Sequence, residues 1–300
     1  MNIRTCITIL CAILGGVLLF NICTYIPSCK SPGLIDLSDQ PCQDTVSPPV
    51  GKWTRTPTIC VDDSIVYTPT GCTPNPALQP LCEGITEPAV RDFVAYVHGI
   101  CPKVDARFVG DILYADIPVR LYDGPYGGCS DMDRDELLKW LILIGVMVII
   151  DNADINGSTV GFDLTGTQDG TESALMNLLN NTPPPAEANY NGVCYFTRRG
   201  DRLTAASVWI NVHVMGLPGW GRDVALTYIP NITRHELGHA IVGFNDNLPT
   251  PDPLATEPPM GTDLTPDAPG LMSYTGHVVN ASGLWLLSDD EIVVMGWMYE

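Results

Sequence analysis

The sequence contains little positive charge. Lysine and arginine together number 15, only four of them lysines, against 34 aspartates and glutamates, so the net charge is −19. Binding to nucleic acid requires clustered basic side chains that neutralise phosphates, so this composition argues against a nucleic-acid partner. The sequence also lacks a glycine-rich loop that could cradle a phosphate group, and it lacks a Ser-His-Asp order. Nucleotide chemistry and serine-nucleophile chemistry are therefore not predicted.

Charged residues of both signs are also few. They make up 16% of the 300 residues, whereas hydrophobic residues make up 45%. A chain of this length and composition can bury a sizeable core and forms one large domain, or one domain with a smaller appendage. Nothing in the sequence indicates an oligomeric state.

The N-terminus carries a hydrophobic run. Arg4 precedes a nearly unbroken apolar stretch over residues 7–20, which is the length of a signal-peptide core. Extended to Ile26, the stretch has about twenty residues and is long enough to span a bilayer. Residues 1–28 are therefore predicted to be a signal peptide or an uncleaved anchor, with residues 6–27 as the membrane tether in the second case. Either alternative predicts a secreted protein or a membrane-anchored one whose main domain is extracellular or periplasmic.

Cysteine is absent after residue 194. The eight cysteines beyond the N-terminal apolar run are Cys29, Cys42, Cys60, Cys72, Cys82, Cys101, Cys129 and Cys194. An even number in an exported chain predicts up to four disulfides. Residues 29–104 are rich in Cys, Pro and Thr and are predicted to be a disulfide-stapled propeptide, stalk or accessory module, with one helix near residues 87–100. The more regular alternation of apolar and polar residues that follows predicts a folded domain over residues 105–300.

Four N-x-S/T triplets predict a glycoprotein if the host glycosylates asparagine. They begin at Asn156, Asn180, Asn231 and Asn280.

The clearest motif is "HELGH", residues 235–239. On a helix, His235 and His239 project from one face a turn apart, so both imidazoles can bind the same zinc ion. Glu236 adjoins them and can act as general base towards a zinc-activated water. The competing interpretation is structural, because Thr233 and Glu236 also fit a helix capping box, in which Glu236 would only cap a helix start.

Two further segments frame this motif. The stretch "SVWINV", residues 207–212, alternates apolar and polar side chains and predicts a half-buried strand. As an edge strand it would also pair with an extended peptide. Towards the C-terminus, "LSDDEIVVMGWMYE" predicts a helix that begins with a capping box of Ser288 and Glu291.

The segment "PGLMSYTG", with Met272 and Tyr274, resembles the Met-turn of metzincin metalloproteases, in the Met-x-Tyr form of the serralysin and astacin branches. The C-terminal helix is similar to that of matrixin-like domains, and the order of strand, zinc helix, Met-turn and last helix also fits. The resemblance covers roughly residues 105–300. It implies an α+β fold with a twisted mixed sheet, zinc on His235 and His239, and Glu236 as the base. It also implies a structural role for Met272. For Tyr274 it implies zinc ligation at rest and an oxyanion contact during turnover, for which a core-packed turn tyrosine is the alternative.

The third zinc ligand is the point where the sequence departs from the family. Metzincins read H-E-x-x-H-x-x-G-x-x-H, or end in Asp, whereas Val242 and Asn245 occupy the last two defined positions here. Gly243 and Asp246 lie one residue later, which preserves their mutual spacing but rotates the helix exit by about 100°. Asp246 is the favoured ligand because a carboxylate oxygen binds zinc well and a neutral amide does not. His277 and Glu257 are the alternatives.

The sequence therefore predicts a zinc endopeptidase that hydrolyses peptide bonds of extracellular proteins, with a protein or peptide as its partner. The alternative is an inactive metzincin-like ectodomain that serves as a binding or structural module. Calcium is a second candidate cation, because a proline-rich loop contains four acidic residues: Asp252, Glu257, Asp263 and Asp267.

Overall fold

The structure is a computed structural model that describes residues 50–69, 74–124, 153–156, 159–167, 170–184, 191–246, 270–273 and 277–300. The N-terminal 49 residues lie outside this part, and so do Tyr274 and the acidic loop that contains Glu257. The predictions for the signal or anchor segment, for calcium and for Tyr274 therefore stay predictions. Within the described residues, no helix is long and apolar enough to cross a membrane.

The described chain forms an α+β fold. Its strands are β1 Thr58–Tyr67, β2 Arg107–Phe108, β3 Ile117–Tyr122, β4 Ala153–Asn156, β5 Thr159–Asp163, β6 Gly192–Arg199, β7 Arg202–Asn211, β8 Val278–Val279 and β9 Trp285–Leu286. Its α-helices are α1 Leu78–Cys82, α2 Thr86–Ile100, α3 Thr171–Asn181, α4 Arg222–Leu237 and α5 Asp289–Tyr299. A π-helical turn, Gly238–Val242, continues α4, and 3₁₀ turns lie at Ile112–Tyr114 and His213–Gly216.

Seven strands form one mixed sheet in the order β2-β1-β3-β7-β6-β5-β4, and β8 and β9 form a separate pair. The pairings β2-β1, β1-β3, β3-β7 and β6-β5 are parallel, and the pairings β7-β6 and β5-β4 are antiparallel. The prediction of an α+β fold with a mixed sheet is confirmed at this level.

Strand β7 lies in the middle of the sheet. Its successive side chains enter two different cores, because Val208 and Ile210 pack with α2 and α4, whereas Trp209 packs with α3. The predicted alternation is therefore right, but the polar-face positions are buried as well. The prediction that residues 207–212 form an edge for a peptide is wrong, since β3 and β6 already take both edges of β7.

The predicted boundary at residue 104 does not divide the folded part. Strand β1 pairs with β3 in the interior of the sheet, and α2 packs against α4. Val50, Trp53 and Phe93 belong to the same hydrophobic core as the α4 residues. Residues 50–104 are thus an integral part of the domain, because their removal would take away a central strand and a core helix, and this part is not a separable propeptide or stalk.

Four of the eight predicted disulfide cysteines lie in the described residues, and all four are free thiols: Cys60, Cys82, Cys101 and Cys194. The prediction of up to four disulfides is therefore not confirmed for these cysteines. It stays a prediction for the remaining four, which lie outside the described residues: Cys29, Cys42, Cys72 and Cys129.

The structure argues against one of the four predicted glycosylation sites. Asn231 is buried within α4, where its side-chain amide donates to the carbonyl oxygen of Gly283 and accepts from the backbone of Trp285. A glycan cannot be attached to this nitrogen in the folded protein.

Candidate metal centre

Three predicted ligands come together at the end of α4. One ligand atom each from His235, His239 and Asp246 lies within 4.8 Å of the others, and all three residues are buried. Asp246 Oδ1 is 2.9 Å from His235 Nε2 and 3.3 Å from His239 Nε2. The two histidines with the favoured aspartate therefore form a compact, three-residue donor set.

Helix α4 supplies the two imidazoles. The four-residue spacing places their rings one turn apart, with centroids 5.0 Å apart and nearly perpendicular planes. Because α4 begins at Arg222, Thr233 lies deep inside the helix and is not its N-cap. The interpretation of Glu236 as a mere capping residue is therefore wrong.

A π-helical turn accommodates the extra residue that distinguishes this chain from the metzincin spacing. The Gly243 N–H donates to the carbonyl oxygens of Gly238 and His239, both at 3.1 Å, and the Phe244 N–H reaches Gly238 O at 3.2 Å. A single π turn adds one residue to a helix without the full rotation that another α-helical residue would cause. Asp246 can consequently return to the two histidines.

Gly243 makes this return possible. Its φ is +87°, in the left-handed region that a helix end commonly adopts at glycine. A Cβ built on Gly243 would lie 1.8 Å from the carbonyl oxygen of Gly51, so no side chain fits. The segment before β1 also supports the turn through two hydrogen bonds. The Val50 N–H donates to Gly243 O at 2.8 Å, and the Trp53 indole N–H donates to Ala240 O at 2.8 Å.

Backbone carbonyls orient both imidazoles. His235 Nδ1 lies 2.8 Å from Leu271 O, and His239 Nδ1 lies 2.8 Å from Phe244 O. A carbonyl oxygen only accepts, so each Nδ1 carries the proton and each Nε2 is directed at the other ligands. Such hydrogen bonds fix the tautomer that metal-binding histidines use. The Thr159 hydroxyl donates to Asp246 Oδ2 at 3.3 Å and positions the carboxylate from β5.

The His235 imidazole and the Asp246 carboxylate shift each other's protonation equilibria. Burial alone would raise the pKa of Asp246, but the charges of His239 and His235 and their hydrogen bonds hold that pKa far below its ordinary value. Burial alone would lower the pKa of His235, but the hydrogen bond and charge of Asp246 outweigh it and raise the pKa. The site is thus built for an ionised carboxylate next to positive charge.

Glu236 lies at the same site. Its side chain is 1% exposed, and it packs so closely on β6 that a Cβ at Gly192 would be 2.6 Å from Glu236 Oε1. The neighbouring Cys194 thiol has its pKa raised, first by burial and then by the negative charges of Glu236 and Asp246. The two carboxylates therefore act on one buried region, which matches the predicted placement of Glu236 beside the ligands.

Met272 packs against the helical turn between the two histidines. It is fully buried, and a Cβ at Gly238, the residue before His239, would meet Met272 Sδ at 2.5 Å. Met272 therefore packs against the helical turn that carries His239, which is compatible with the structural role expected for it.

Glu291 holds this turn in place, a role that the sequence analysis missed. Its carboxylate accepts from the Leu271 and Met272 N–H groups, both at 2.9 Å, and from the Ser288 N–H at 2.8 Å. The predicted capping box of Ser288 and Glu291 is confirmed, but its glutamate also fixes the carbonyl that orients His235. The sequence signal available for this role was only the acidic residue in the predicted capping box, because its burial cannot be read from the sequence.

The alternative ligand His277 does not join the donor set. Its Nδ1 lies 3.0 Å from Gly270 O, and its ring stacks on Trp285 with centroids 3.5 Å apart. Burial lowers its pKa. His277 therefore lies near the donor set, separated from His235 by Trp285, and is not part of it. The other alternative, Glu257, lies outside the described residues.

Comparison of the chain with models of protein families, with curated proteins and with solved structures finds no match. The chemistry of the site must therefore be inferred from its own residues.

Proposed function

We propose that the chain is a zinc endopeptidase of the metzincin type that hydrolyses peptide bonds of proteins outside the cytosol. The observation that carries this proposal is the convergence of His235, His239 and Asp246 within 4.8 Å, with Glu236 buried beside them. Their position between a central strand, a methionine turn and a C-terminal helix also follows the metzincin order.

The donor set suits zinc. Two imidazole nitrogens and a carboxylate oxygen are ligands that catalytic zinc commonly takes from a protein, and zinc keeps a fourth position open. Calcium prefers six to eight oxygen ligands, so a cluster with two nitrogens does not favour it. A divalent cation would also balance the buried negative charges of Asp246 and Glu236. When bound, zinc would polarise a substrate carbonyl and make water acidic enough to react near neutral pH.

Glu236 would perform the proton transfers. Its carboxylate would accept a proton from the attacking water and then deliver it to the departing amine nitrogen. Close packing against Gly192 restricts the movement of this carboxylate. A restricted position favours proton transfer, because the base stays oriented towards the reacting atoms. Tyr274 stays a predicted oxyanion donor.

The outermost described strand on the metal side, β4, is a better place for the substrate than β7. Asn156 in β4 pairs with Thr159 in β5, and the Thr159 hydroxyl contacts Asp246. A peptide that pairs with the outer edge of β4 would run past the metal centre.

The test combines zinc content with peptidase activity of the full-length chain. Glu236→Gln should retain about one zinc ion per chain but lose about 10²- to 10⁴-fold in kcat, since only the proton transfer is removed. Asp246→Ala should lose both zinc and activity. Elemental analysis after dialysis and cleavage of a fluorogenic peptide library measure the two quantities.

His213→Gln is the matched control, because His213 also pairs with an aspartate, Asp123, at 2.6 Å but lies outside the cluster. It should keep both zinc and activity. A wild-type protein that folds without binding zinc would overturn the proposal and support the inactive binding ectodomain.

A further inference from the structure

A second site lies on the opposite face of the sheet from the metal centre, around Arg120 in β3. Arg120 alternates with the core residues Val119 and Leu121, so its side chain enters the layer between the sheet and α3. The residue is only 4% exposed. Its Nε and Nη1 atoms are buried and have no hydrogen-bond acceptor among the described residues. A guanidinium offers five N–H donors, and leaving them unpaired in a buried place is costly.

Two aromatic rings hold this guanidinium in place. Its central carbon lies 5.6 Å from the Tyr67 ring centroid and 5.7 Å from that of Trp209. The Trp209 indole is itself fixed, because its N–H donates to Leu179 O at 3.1 Å. Cation–π contacts stabilise the positive charge but leave N–H donors without oxygen acceptors. The aromatic rings therefore position a donor group that has no carboxylate within ion-pair distance in the described part of the chain.

Arg120 lines a cavity of about 310 Å³ between β3, β7, α3 and the 3₁₀ turn Ile112–Tyr114. This volume is at the lower end of small-ligand sites. Asn180 Oδ1 also borders the cavity and is buried without a partner in the described part of the chain. Leu113 adds an apolar side chain at the mouth, where it is 79% exposed. The cavity thus offers a cation, an amide and an apolar contact.

The two acidic residues of the cavity are already engaged elsewhere. Asp116 accepts two hydrogen bonds from Arg55, at 2.6 and 2.7 Å, and others from Thr58. Glu172 accepts from Thr197 at 3.2 Å and lies 3.7 Å from Arg199. Among the described residues, their ion pairs are thus with Arg55 and Arg199 and not with Arg120. Their negative charge at the cavity wall does, however, disfavour a doubly charged phosphate and favour an anion with a single charge.

We propose that this cavity binds the carboxylate of an organic ligand. Arg120 would donate to the two carboxylate oxygens as a fork, and the Asn180 amide would bond to a further polar group of the ligand. The carboxylate can come from a small free acid or from the C-terminus of a peptide. The site is separate from the metal centre, so it does not depend on the proposed peptidase function.

Isothermal titration calorimetry of the full-length chain tests the proposal with three probes. They are propionate, N-acetyl-dialanine with a free C-terminal carboxylate, and the same peptide as its C-terminal amide. At least one of the two carboxylates should bind, and the amide should bind at least about tenfold more weakly. Binding of propionate indicates a free acid, and binding of the peptide acid alone indicates a C-terminus. Absence of binding of both acids, or equal binding of acid and amide, would overturn the proposal.

Variants assign the binding to the cavity. Arg120→Met should weaken acid binding about tenfold or more, and Arg120→Lys should do so less, because a lysine retains the charge without the fork. Asn180→Ala should also weaken it. Arg107→Met removes an exposed arginine of β2 as the matched control and should change nothing. Unchanged binding by both Arg120→Met and Asn180→Ala would rule out this cavity as the site.

The ligand-free stability of Arg120→Met gives an independent readout. If Arg120 is held for a ligand, replacing its unneutralised charge by an apolar chain of similar length should leave the Tm unchanged or raise it. A marked fall in Tm would instead identify a structural arginine. If this variant does not fold, the comparison of acid with amide on the wild-type protein still decides the proposal.

Discussion

At the scale of single residues, Gly243 carries an unusual number of constraints. It terminates the π turn, adopts a left-handed backbone and touches the backbone of Gly51, and Asp246 follows three residues later. Each constraint alone favours glycine, since any Cβ is strained at positive φ and here would also clash with a carbonyl oxygen. The position of Asp246, the proposed third ligand, therefore depends on a residue that has no side chain.

Replacement of Gly243 by alanine should lower the free energy of unfolding by more than about 2 kcal/mol, because backbone strain and the clash add together. Zinc binding should weaken as well. Gly166→Ala is the matched control, since φ there is +79° but a Cβ would meet nothing within 4 Å. It should cost only about 1 kcal/mol and leave zinc affinity unchanged. Urea unfolding of the two variants makes the comparison, and equal losses would contradict the role of the Gly51 contact.

Asp116 predicts a pH dependence of stability. Burial would raise the pKa of its carboxyl, but the hydrogen bonds from Arg55 and Thr58 outweigh this and lower the pKa. A lowered folded-state pKa stabilises the protein above the ordinary carboxyl pKa of about 4, and this stabilisation disappears as the pH falls through the folded-state value. Asp116→Asn should therefore be about 1 kcal/mol less stable at pH 7, a modest figure because Arg55 is largely exposed.

The difference between wild type and Asp116→Asn should shrink as the pH falls below about 4. Chemical denaturation of both proteins between neutral and acidic pH measures it. A constant difference over this range would show that the hydrogen bonds do not depend on the charge of Asp116.

At the scale of elements, hydrogen bonds between α5 and the methionine turn hold the candidate metal centre in a defined conformation. Glu291 lies in the first turn of α5 and accepts hydrogen bonds from two N–H groups of the methionine turn. It thereby fixes Leu271, whose carbonyl orients His235. Glu291→Gln should lower the free energy of unfolding by about 3 kcal/mol and weaken zinc binding about 10- to 100-fold.

The matched control for this contact is Ser288→Ala, which removes the hydroxyl cap of the same helix but keeps the bonds of Glu291 to the turn. It should cost about 1 kcal/mol and leave zinc affinity intact. Zinc competition titrations and urea unfolding separate the two effects. A similar loss of zinc affinity in both variants would show that helix formation, and not the turn contact, is the cause.

The sequence predicted some elements well and others poorly for physical reasons. Helices α2 and α5 were predictable because their apolar period and capping box are local. Most of α4 was not, because Pro230 and the glycines before Arg222 are helix-breaking signals that tertiary packing overrides. In a regular α-helix, the extra residue before Asp246 would rotate this side chain away from the two histidines. The π turn, which the sequence did not reveal, avoids that rotation.

At the scale of the whole molecule, metal binding and stability should be coupled. Zinc that binds the folded chain alone stabilises it, by about 2.7 kcal/mol when free zinc is 100 times its Kd. The Tm should rise by several degrees with added zinc and fall after chelation. Differential scanning calorimetry should show no such shift for Asp246→Ala, and a shift that persists in this variant would place zinc elsewhere.

The overall arrangement of the sheet was beyond prediction from the sequence. The alternating pattern of β7 indicates that it is a strand but not which strands flank it, because pairing depends on residues far apart in the chain. The same limit explains the misplaced boundary at residue 104, since composition separated a region that pairing and packing join. The site residues were easier to predict from the sequence, because the two histidines, Glu236 and Asp246 lie within a stretch of twelve residues.

The position of Glu291 also has a consequence for biosynthesis. The ribosome delivers His235 and Asp246 well before it delivers Glu291, which fixes the turn beneath them. A nascent chain that ends between these points contains the proposed metal ligands but lacks Glu291, which fixes the carbonyl that orients His235. We therefore expect the centre to mature only once α5 has emerged and docked, so that a stalled or truncated translation product leaves the ribosome without an ordered site.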